Sequence, residues 1–348
     1  MKNFKRSISI MLVFIMAIAL LTACGQTKAP SSSGGESGEK EIILRMSYSL
    51  PSNSPNDIAA QKFSELVSEA TGGRIKIELH PNCGLSGGDL VKAFEMLIAG
   101  DIDIHGSAPI TAANFDPRFN AFWLPWLFDD VDSLLSALDN GLIDLASSWS
   151  EEKGMMVLTC SYAGSRQLSN SKRDVKTVDD MKDLVIRVPA VNMFIDMFTE
   201  LGSSPVAMDF SEVYTASQQG TIDGQENPLS TYASATLYEV QKHVTMYNMV
   251  LDTTFWFMNS KKFNSLSEED QKILLDSAKE ASEYYKELVL EQDAALEKSL
   301  AEEHGVTVTY LTDEELQPFR DKAKVVYEKY GPIIGQDIVD TFLELAGK

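Results

Sequence analysis

Hydrophobic and polar residues alternate in several short segments of the chain and recur every three or four residues in the segments between them. Residues 41–50, "EIILRMSYSL", and 74–81, "RIKIELHP", alternate as half-buried strands do. Between them, "NDIAAQKFSELVSEATGG" at 56–73 predicts an amphipathic helix closed by glycine. The next segment, "GGDLVKAFEMLIAGDIDIHGS", predicts a helix that stops at Gly100 and a short strand at Asp101–His105. This β-α-β-α-β order is typical of a parallel sheet with crossover helices.

A second set of elements with a similar order begins near Gly154. Strands are predicted in "GMMVLTCSY", "LVIRVP" and "SSPVAMD", with a short helix in "VDDMKD" and a longer one in "NMFIDMFTELG". The segment "FSEVYTASQQGTIDGQENP" then predicts a helix that stops at Gly220 and a strand remnant. Because "AGDIDIHG" and "QGTIDGQENP" repeat one helix-glycine-strand phrase, we expect two lobes of like construction.

One long helical pattern follows these two sets. Ser267 is a helix N-cap, and the three acidic residues after it complement the helix dipole. The periodicity continues to about His304, which corresponds to a helix about 50 Å long at roughly 1.5 Å per residue. A helix of this length would brace both lobes. The alternative is two helices separated by an unmarked kink.

The first residues have the layout of a secretory signal peptide: basic residues, an apolar run, and "LTAC", which ends at Cys24. This end resembles a lipobox, in which the cysteine becomes the lipidated first residue of a mature lipoprotein. We expect residues 1–23 to be removed and residues 24–41, rich in Gly and Ser, to form a flexible tether. The folded part then starts near Ile42. The alternatives are an ordinary signal peptide and a membrane anchor.

The formal net charge of the chain is −21, and removal of the three basic residues within 1–23 takes it to −24. Such acidity excludes nucleic acid as an expected partner and repels anionic ligands at long range. Any anion-binding site must therefore be local. The size of the folded part, about 300 residues, exceeds what one hydrophobic core usually serves and also predicts two lobes.

Motifs for metal binding and catalysis are missing from the sequence. Cys83 and Cys160 either pair in an oxidising compartment or remain buried thiols, and no Cys-x-x-Cys or Cys/His cluster predicts a metal or a cofactor. The chain has no Gly-x-Ser-x-Gly, His-Glu-x-x-His or Gly-Lys-Ser/Thr motif, and its four histidines are scattered. We therefore predict that the protein is not an enzyme.

Two arginines stand where strands are predicted to end. Arg187 interrupts the apolar run "LVIRVP", and Arg166 follows the strand that ends at Tyr162. A buried guanidinium is costly unless an anion meets it, and its planar fork can grip a carboxylate through two parallel hydrogen bonds. The partner is either a carboxylate of the protein itself or a ligand in the crevice at the carboxyl ends of the strands.

Several phrases occur in an order and spacing that carry a family resemblance: "FSELVSEATGGRIKIELHPN", "AGDIDI", "LPWLFDD", "VDDMKDLVIRVP", "LGSSPVAMDFSEVYTASQQGTIDGQENP" and "LSEEDQKILLDSAKEA". From about Arg45 to Tyr330 the chain resembles the extracytoplasmic solute-binding subunits of tripartite ATP-independent periplasmic (TRAP) transporters. The resemblance implies an α/β, two-lobe Venus-flytrap fold like that of periplasmic binding proteins. Crossing strands would join the lobes, and the long helix would span both.

The resemblance also implies roles for individual residues. Arg187 matches the arginine that forms a salt bridge with the ligand carboxylate, and Asn227 matches a position that hydrogen-bonds the same group. Arg166 corresponds to a second ligand-contacting arginine, and Phe210 to an aromatic ring that packs on the ligand. The other lobe is expected to contribute five further residues: Tyr48, Ser49, Asn53, His105 and Ser107.

The function implied is capture of an organic acid outside the cytoplasm, such as a C4-dicarboxylate or a sugar acid, by a lipid-anchored monomer that delivers it to TRAP membrane subunits. Lobe I would comprise 42–163 and about 253–292, and lobe II 164–252 and about 293–348. The alternatives are a carboxylate receptor for a sensor kinase or chemoreceptor, an extracellular α/β enzyme acting on carboxylated sugars or esters, and a purely structural lipoprotein. The identity of the acid and the number of its carboxylates stay open.

Overall fold

The computed structural model of the chain describes residues 40–348. The predicted signal peptide, the lipidation site Cys24 and nearly all of the predicted tether lie outside the described residues. Within 40–348, no helix has the length and apolar character needed to cross a membrane. Both Cys83 and Cys160 are free thiols, as the second of the two cysteine alternatives predicts, but only Cys83 is buried, whereas Cys160 is half-buried.

Ten strands form the central sheet of the described part. Eight of them follow the order β2-β1-β3-β9-β4-β7-β5-β6, while β8 pairs with β4 and β10 pairs with β8. The strands are β1 Ile42–Tyr48, β2 Ile75–His80, β3 Ile104–Ser107, β4 Met155–Asn170, β5 Val185–Val188, β6 Ser204–Ala207, β7 Gly224–Pro228, β8 His243–Met246, β9 Leu251–Asn259 and β10 Thr307–Tyr310.

Each end of the sheet is parallel, as the alternating strand and helix patterns predict. Strand β1 pairs in parallel with β2 and β3, and β5 pairs in parallel with β6 and β7. Strands β4 and β9 run antiparallel to each other between these two parallel groups. The first half of β4 pairs with β9, and its second half pairs with β7 and β8. One strand therefore passes from one half of the sheet to the other.

The bounds of two predicted strands were wrong. The strand predicted at Asp101–His105 lies at Ile104–Ser107, because the C-terminal turn of the preceding helix extends to Ile102, whose N–H donates to the Met96 carbonyl. Strand β4 continues eight residues beyond its predicted end at Tyr162. The pairing of β4 with β9 is irregular at Gly164, but the strand continues. The prediction ended the strand before this residue because glycine is typical of a turn.

The predicted long helix is confirmed as one unbroken element. Helix α10, Glu268–His304, has 37 residues, is capped by the Ser267 side chain and ends at Gly305. It packs against α1 and β4, and farther along against α8 and β10. The other helices are α1 Pro55–Ala70, α2 Leu90–Ala99, α3 Pro109–Ala112, α4 Val131–Ala137, α5 Ile143–Glu152, α6 Asn192–Glu200, α7 Val213–Gln218, α8 Leu229–Ser234, α9 Ser260–Asn264, α11 Asp313–Ile334 and α12 Gln336–Leu345.

The long helix contributes to two hydrophobic cores. It places Leu274, Tyr285 and Val289 in the larger core, while Leu300, nearer its C-terminus, belongs to a second core with residues of α7 and β8. Burial of apolar side chains is the main stabilising contribution to folding. Because α10 buries apolar side chains in both cores, it stabilises the association of the two halves of the sheet. The residue boundaries of the two lobes stay a prediction.

Candidate functional site

A cavity lies where the carboxyl ends of strands from both halves of the sheet meet strands β4 and β9. Ligand sites of open α/β sheets are expected at such strand ends. The lining combines apolar groups, among them Trp123, Pro189 and Phe210, with polar ones. The polar lining residues are Ser49, Asn56, Ser107, Thr111, Arg166, Arg187, Asn227, Thr231, Asp252, Thr253, Thr254 and Tyr285.

Arg187 is the third residue of β5 and is only 3% exposed. Its Nε donates to the carbonyl oxygen of Met208 at 2.9 Å, and its Cζ lies 5.7 Å from the centre of the Phe210 ring. Among the described residues, no carboxylate lies within ion-pair distance of this guanidinium, and its Nη1 and Nη2 have no hydrogen-bond partner. Arg187 is therefore a buried cation with one neutral contact.

The electrostatic surroundings of Arg187 agree with this geometry. Desolvation lowers the pKa of Arg187 to about 10, with Arg166 acting in the same direction, although Glu226 and Asp209 oppose the shift. The side chain remains charged at neutral pH. Because burial disfavours the charged form, a ligand carboxylate that supplied the missing counter-ion would be bound strongly.

Arg166, on β4, is equally buried but fully engaged by the protein. Its Nε and Nη2 donate to the Glu226 carboxylate, and its Nη1 donates to Asp252 Oδ2 at 2.5 Å. Its Nη2 also donates to Asn227 Oδ1 at 2.9 Å, and its Cζ lies 4.1 Å from the centre of the Trp123 ring. Burial opposes its charge, but Glu226 and Asp252 outweigh burial and raise the pKa of Arg166.

The two carboxylates beside Arg166 are also deeply buried. Burial raises the pKa of Glu226 and of Asp252, and Arg166 counteracts the rise in both. Asp252 Oδ1 accepts hydrogen bonds from Trp123 Nε1 and from the backbone N–H of Thr253, each at 2.8 Å. Arg166, Glu226 and Asp252 thus have hydrogen-bond partners within the protein, so the part of the cavity wall that they form is rigid.

Asn227 lies on β7 at the cavity wall, and its side-chain amide is oriented by its neighbours. Its Oδ1 accepts from Arg166, and its Nδ2 donates to Gln225 Oε1. The antiparallel pairing of β4 with β7 places Arg166 opposite Pro228 and Gln167 opposite Asn227, which brings these side chains together. The predicted carboxylate contact of Asn227 stays a prediction.

The structure brings six of the nine predicted ligand-binding residues to the cavity: Ser49, Ser107, Arg166, Arg187, Phe210 and Asn227. The remaining three lie elsewhere. The Tyr48 hydroxyl is buried and donates to Asp57, because alternation along β1 points neighbouring side chains to opposite faces. Asn53 is exposed in a turn with φ +66°, and its N–H donates to Asp57 Oδ2 at 2.8 Å.

His105 is the third predicted residue that lies outside the cavity lining. It is completely buried against the edge of the Phe94 ring, with Nδ1 3.2 Å from the Ser47 carbonyl oxygen. Desolvation lowers the pKa of His105 to about 4, so the imidazole is neutral at physiological pH. The neutral ring of His105 packs in the protein interior beside Phe94 and does not line the cavity.

Several cavity residues escaped the sequence analysis. Asn56 lies in the first turn of α1, Trp123 precedes α4, and the run Asp252–Thr254 lies in β9. The sequence offered a weak signal only for the last group, where three polar residues interrupt the apolar pattern of a buried strand. Tyr285, in the middle of α10, had no local signal.

The fold and the cavity together define a solute receptor, with two α/β halves, crossing strands and a buried cation that lacks a counter-ion. The model of the bacterial extracellular solute-binding protein family 7 matches residues 46–332, and the chain belongs to this family. The resemblance to TRAP solute-binding subunits is thereby confirmed. Members of this family act outside the cytoplasm.

Individual relatives agree with the family assignment. The chain is 34% identical over 278 residues to the 2,3-diketo-L-gulonate-binding periplasmic protein YiaO of Escherichia coli K12, covering 80% of this chain and 83% of YiaO. A TRAP periplasmic solute binding protein from Ralstonia eutropha H16, with bound (S)-2-acetolactate, superimposes with a TM-score of 0.84 at 32% identity, covering 88% of this chain and 98% of that chain.

A third relative is the sugar acid binding protein DctPAm from Advenella mimigardefordensis in complex with galactonate. It superimposes with a TM-score of 0.85 at 28% identity, covering 88% of this chain and 98% of that chain. These solved structures confirm the predicted two-lobe α/β fold.

Proposed function

We propose that this protein captures a small organic acid whose carboxylate pairs with Arg187, and that it delivers the acid to the membrane subunits of a TRAP transporter. The observation that carries the proposal is the state of Arg187, which is buried at the cavity wall with one hydrogen bond to a carbonyl and no acidic partner among residues 40–348. A guanidinium in this setting favours a planar anion that can accept from Nη1 and Nη2 together.

The ligands of the relatives support a carboxylate. Diketogulonate, acetolactate and galactonate differ in length and oxidation state, but each carries a carboxylate. Asn227 is the second candidate for contact with this group, because its amide lies beside Arg166 at the same cavity wall. Phe210, under the Arg187 guanidinium, provides an apolar surface for the carbon chain of the ligand.

Delivery requires that the ligand change the receptor. The cavity is lined from both halves of the sheet, with Ser49 and Ser107 on one side and Arg187 and Asn227 on the other. A ligand that contacts both halves stabilises the closed arrangement relative to the open one. Small-angle X-ray scattering of the mature protein tests this: we expect a smaller radius of gyration with saturating acid, and identical profiles would contradict closure.

The remaining features of the proposal follow from the sequence and the cavity. Residues 1–23 would be removed and Cys24 lipidated, which would hold the monomeric receptor at the outer face of the membrane. The cavity lining contains hydroxyl groups but no histidine or free acid positioned as a base beside them, in the part of the chain that is described. Binding without chemistry is therefore the function that we propose.

A thermal-shift experiment tests the proposed carboxylate recognition. Each organic acid is compared at the same concentration with its primary amide, which keeps the shape and removes the charge. A bound acid at one hundred times its dissociation constant adds about 2.7 kcal/mol to the free energy of unfolding, whereas the amide should add almost nothing. Equal stabilisation by an acid and its amide, or no stabilisation by any acid, would contradict the proposal.

A further inference from the structure

Two loops from opposite ends of the sheet meet beside the cavity. Strand β2 is the last strand at one end of the sheet order, and β6 is the last at the other. The loop after β2 leads through Gly88 into α2, and the loop after β6 continues through Asp209 to Ser211. Leu90, at the start of α2, and Phe210 both line the cavity. Because six strands separate β2 from β6, contact between these loops requires the two halves to close around the cavity.

One contact between the loops is a hydrogen bond. The backbone N–H of Leu90 donates to Asp209 Oδ1 at 3.3 Å. Leu90 is the first residue of α2, directly after the Asp89 N-cap, so its N–H has no acceptor within the helix. The positive end of the helix dipole favours a carboxylate at this position. A residue from one half of the sheet thus supplies an acceptor for a helix N-terminus of the other half.

The second contact depends on the absence of a side chain at Gly88. A Cβ atom here would lie 2.7 Å from Ser211 Oγ and 3.3 Å from Ser211 Cβ, and within the described part of the chain it would meet no other atom within 4 Å apart from its chain neighbours. Gly87, directly before it, has a φ of +75°, compared with +93° for Gly88, but a Cβ atom on Gly87 would meet nothing within 4 Å. The backbone therefore favours glycine at both positions, and the opposite loop constrains only Gly88.

We propose that Gly88, Leu90, Asp209 and Ser211 form a clasp that holds the cavity closed and sets the rate at which the bound acid leaves. The inference rests on the proposed function, because it assumes that an acid binds beside Arg187. The clasp acts on the acid by keeping the two halves together rather than by contacting the carboxylate.

The clasp should affect release more than capture. An acid enters when the two halves are apart and the clasp is not formed, so the association rate does not depend on the clasp. An acid leaves only after the two loops separate, so each lost contact makes opening easier. Phe210 lies between Asp209 and Ser211 in sequence, and its ring centre is 5.7 Å from Arg187 Cζ. Movement of this loop therefore also withdraws the ring from the guanidinium.

The clasp is weak by itself. Asp209 is half-buried, and burial raises the pKa of its carboxyl group, with Asp89 and Glu212 acting in the same direction. The Leu90 N–H and Arg187 oppose this shift. The charged carboxylate is thus less stable in the clasp than in water, and the hydrogen bond gives the closed arrangement only a small advantage. An acid that contacts both halves supplies the remainder, so closure depends on the acid.

Alanine substitutions at the two glycines test the clasp. The probe is the acid with the largest thermal shift in a panel of galactonate, (S)-2-acetolactate, 2,3-diketo-L-gulonate, glucuronate and succinate. Stopped-flow tryptophan fluorescence measures its association and release, because Trp123 lines the cavity. We expect Gly88→Ala to release the acid roughly tenfold faster at an unchanged association rate, because the added methyl group opposes closure. Gly87→Ala introduces similar backbone strain without the contact and should release the acid at the parental rate.

A compensating substitution distinguishes the clasp from a general loss of stability. Ser211→Gly removes both atoms that the Cβ atom of Gly88→Ala would meet. The double variant Gly88→Ala/Ser211→Gly should therefore release the acid at close to the parental rate. Backbone strain at position 88 remains in the double variant, so an effect that came from strain alone would not be rescued.

A disulfide across the clasp tests the same contact without a clash. A Cβ atom at Gly88 would lie 3.3 Å from Ser211 Cβ, close to the separation of about 3.5–4.5 Å in disulfides. In Gly88→Cys/Ser211→Cys, oxidation with the acid bound should slow its release by roughly 100-fold or more until a reductant is added. Peptide mapping identifies the bridge. Gly88→Cys alone controls for pairing with Cys83, whose carbonyl accepts the Gly88 N–H at 3.1 Å.

The outcomes separate this inference from the proposed function. If the probe acid binds but Gly88→Ala releases it at the parental rate, or Ser211→Gly fails to restore slow release, the clasp is refuted and the carboxylate receptor stands. The clasp is also refuted if the two introduced thiols do not form a bridge while the acid is bound. If no acid of the panel binds, the proposed function fails, and this inference fails with it.

Discussion

The Nε atom of Arg187 donates a 2.9 Å hydrogen bond to the carbonyl oxygen of Met208, directly after β6. This bond orients the guanidinium plane, and Phe210, two residues farther along, lies under it. The same loop therefore positions both the cation and the ring beside it. A carboxylate that enters the cavity meets a guanidinium whose orientation is already set, and preorganisation of this kind strengthens binding.

A buried cation without a counter-ion should destabilise the ligand-free protein. We expect Arg187→Met, which removes the charge and keeps much of the volume, to raise the free energy of unfolding by on the order of 2 kcal/mol in the absence of ligand. Urea denaturation at neutral pH measures this change. A ligand-free variant that is less stable than the parent would indicate that Arg187 is compensated within the protein.

Arg166 should behave in the opposite way. Arg166→Met leaves the buried carboxylates Glu226 and Asp252 without a cation, and removal of one partner of a buried ion pair costs roughly 3–5 kcal/mol. The loss should become smaller as the pH falls, because both acids can then be neutralised by protonation. Chemical denaturation at several pH values measures both effects.

Arg118 provides a matched control for Arg166. It also pairs with two acids, Asp116 and Glu152, and its Cζ lies 5.3 Å from the centre of the Trp149 ring, but it is partly exposed. Because partly exposed pairs contribute little, Arg118→Met should cost about 1 kcal/mol. Equal losses in the two variants would show that burial of the Arg166 network has no special role in stability.

Gly164, the glycine of strand β4, should be more sensitive to substitution than an unconstrained glycine elsewhere in the fold. Its φ is +109°, and a Cβ atom here would lie 2.7 Å from Pro228 Cβ and 3.1 Å from Asp293 Oδ2. Gly164→Ala combines backbone strain with a clash and should lower the free energy of unfolding by about 2–4 kcal/mol. Gly202→Ala, with φ +87° and no atom within 4 Å, should cost only about 1 kcal/mol. Similar losses would contradict the close approach at Gly164.

Asp293, on α10 beside Gly164, should make stability depend on pH. Burial raises the pKa of Asp293 to about 7, Glu297 adds to the rise, and the Ser230 N–H opposes it; Tyr162 also faces the carboxyl group. The folded protein then binds more protons than the unfolded chain between about pH 4 and pH 7. The free energy of unfolding therefore falls as the pH rises through this window.

The Asp293→Asn variant isolates this contribution. It should be more stable than the parent protein above pH 7, by on the order of 3 kcal/mol, and the difference should disappear near pH 4. Denaturation curves for both proteins across this range give the comparison. A difference that does not change with pH would show that the Asp293 carboxyl titrates normally.

Much of the fold could be predicted because its signals are local. The N-cap of α10 at Ser267 and the glycine stop at Gly100 are encoded within a few residues, and the structure has both. Strand β4 was predicted too short because Gly164 is typical of a turn, whereas here it forms a bulge that pairing with β9 stabilises. Only the tertiary partner distinguishes these two uses of glycine.

The site could be predicted only in part for a related reason. Arg187 was visible as a charge within an apolar run. The acidic partners of Arg166, however, lie 60 and 86 residues away in sequence. No motif with a fixed spacing could therefore predict that carboxylates of the protein itself neutralise this arginine. Asn56 and Thr254 meet at the cavity, 198 residues apart in sequence, only because α1 lies next to β9 in the fold. Residues that become functional through long-range packing leave no pattern in the sequence.

The central claim is that Arg187 holds the ligand carboxylate, and calorimetric titration of Arg187→Ala with the acid that gives the largest thermal shift tests it most directly. We predict a loss of affinity of about two to three orders of magnitude, from a cost of roughly 3–5 kcal/mol. Arg187→Lys should fail as well, because an ammonium group lacks the bidentate fork. Arg45→Ala, at an exposed position of β1, should bind as the parent does. Unchanged affinity in Arg187→Ala would contradict the account.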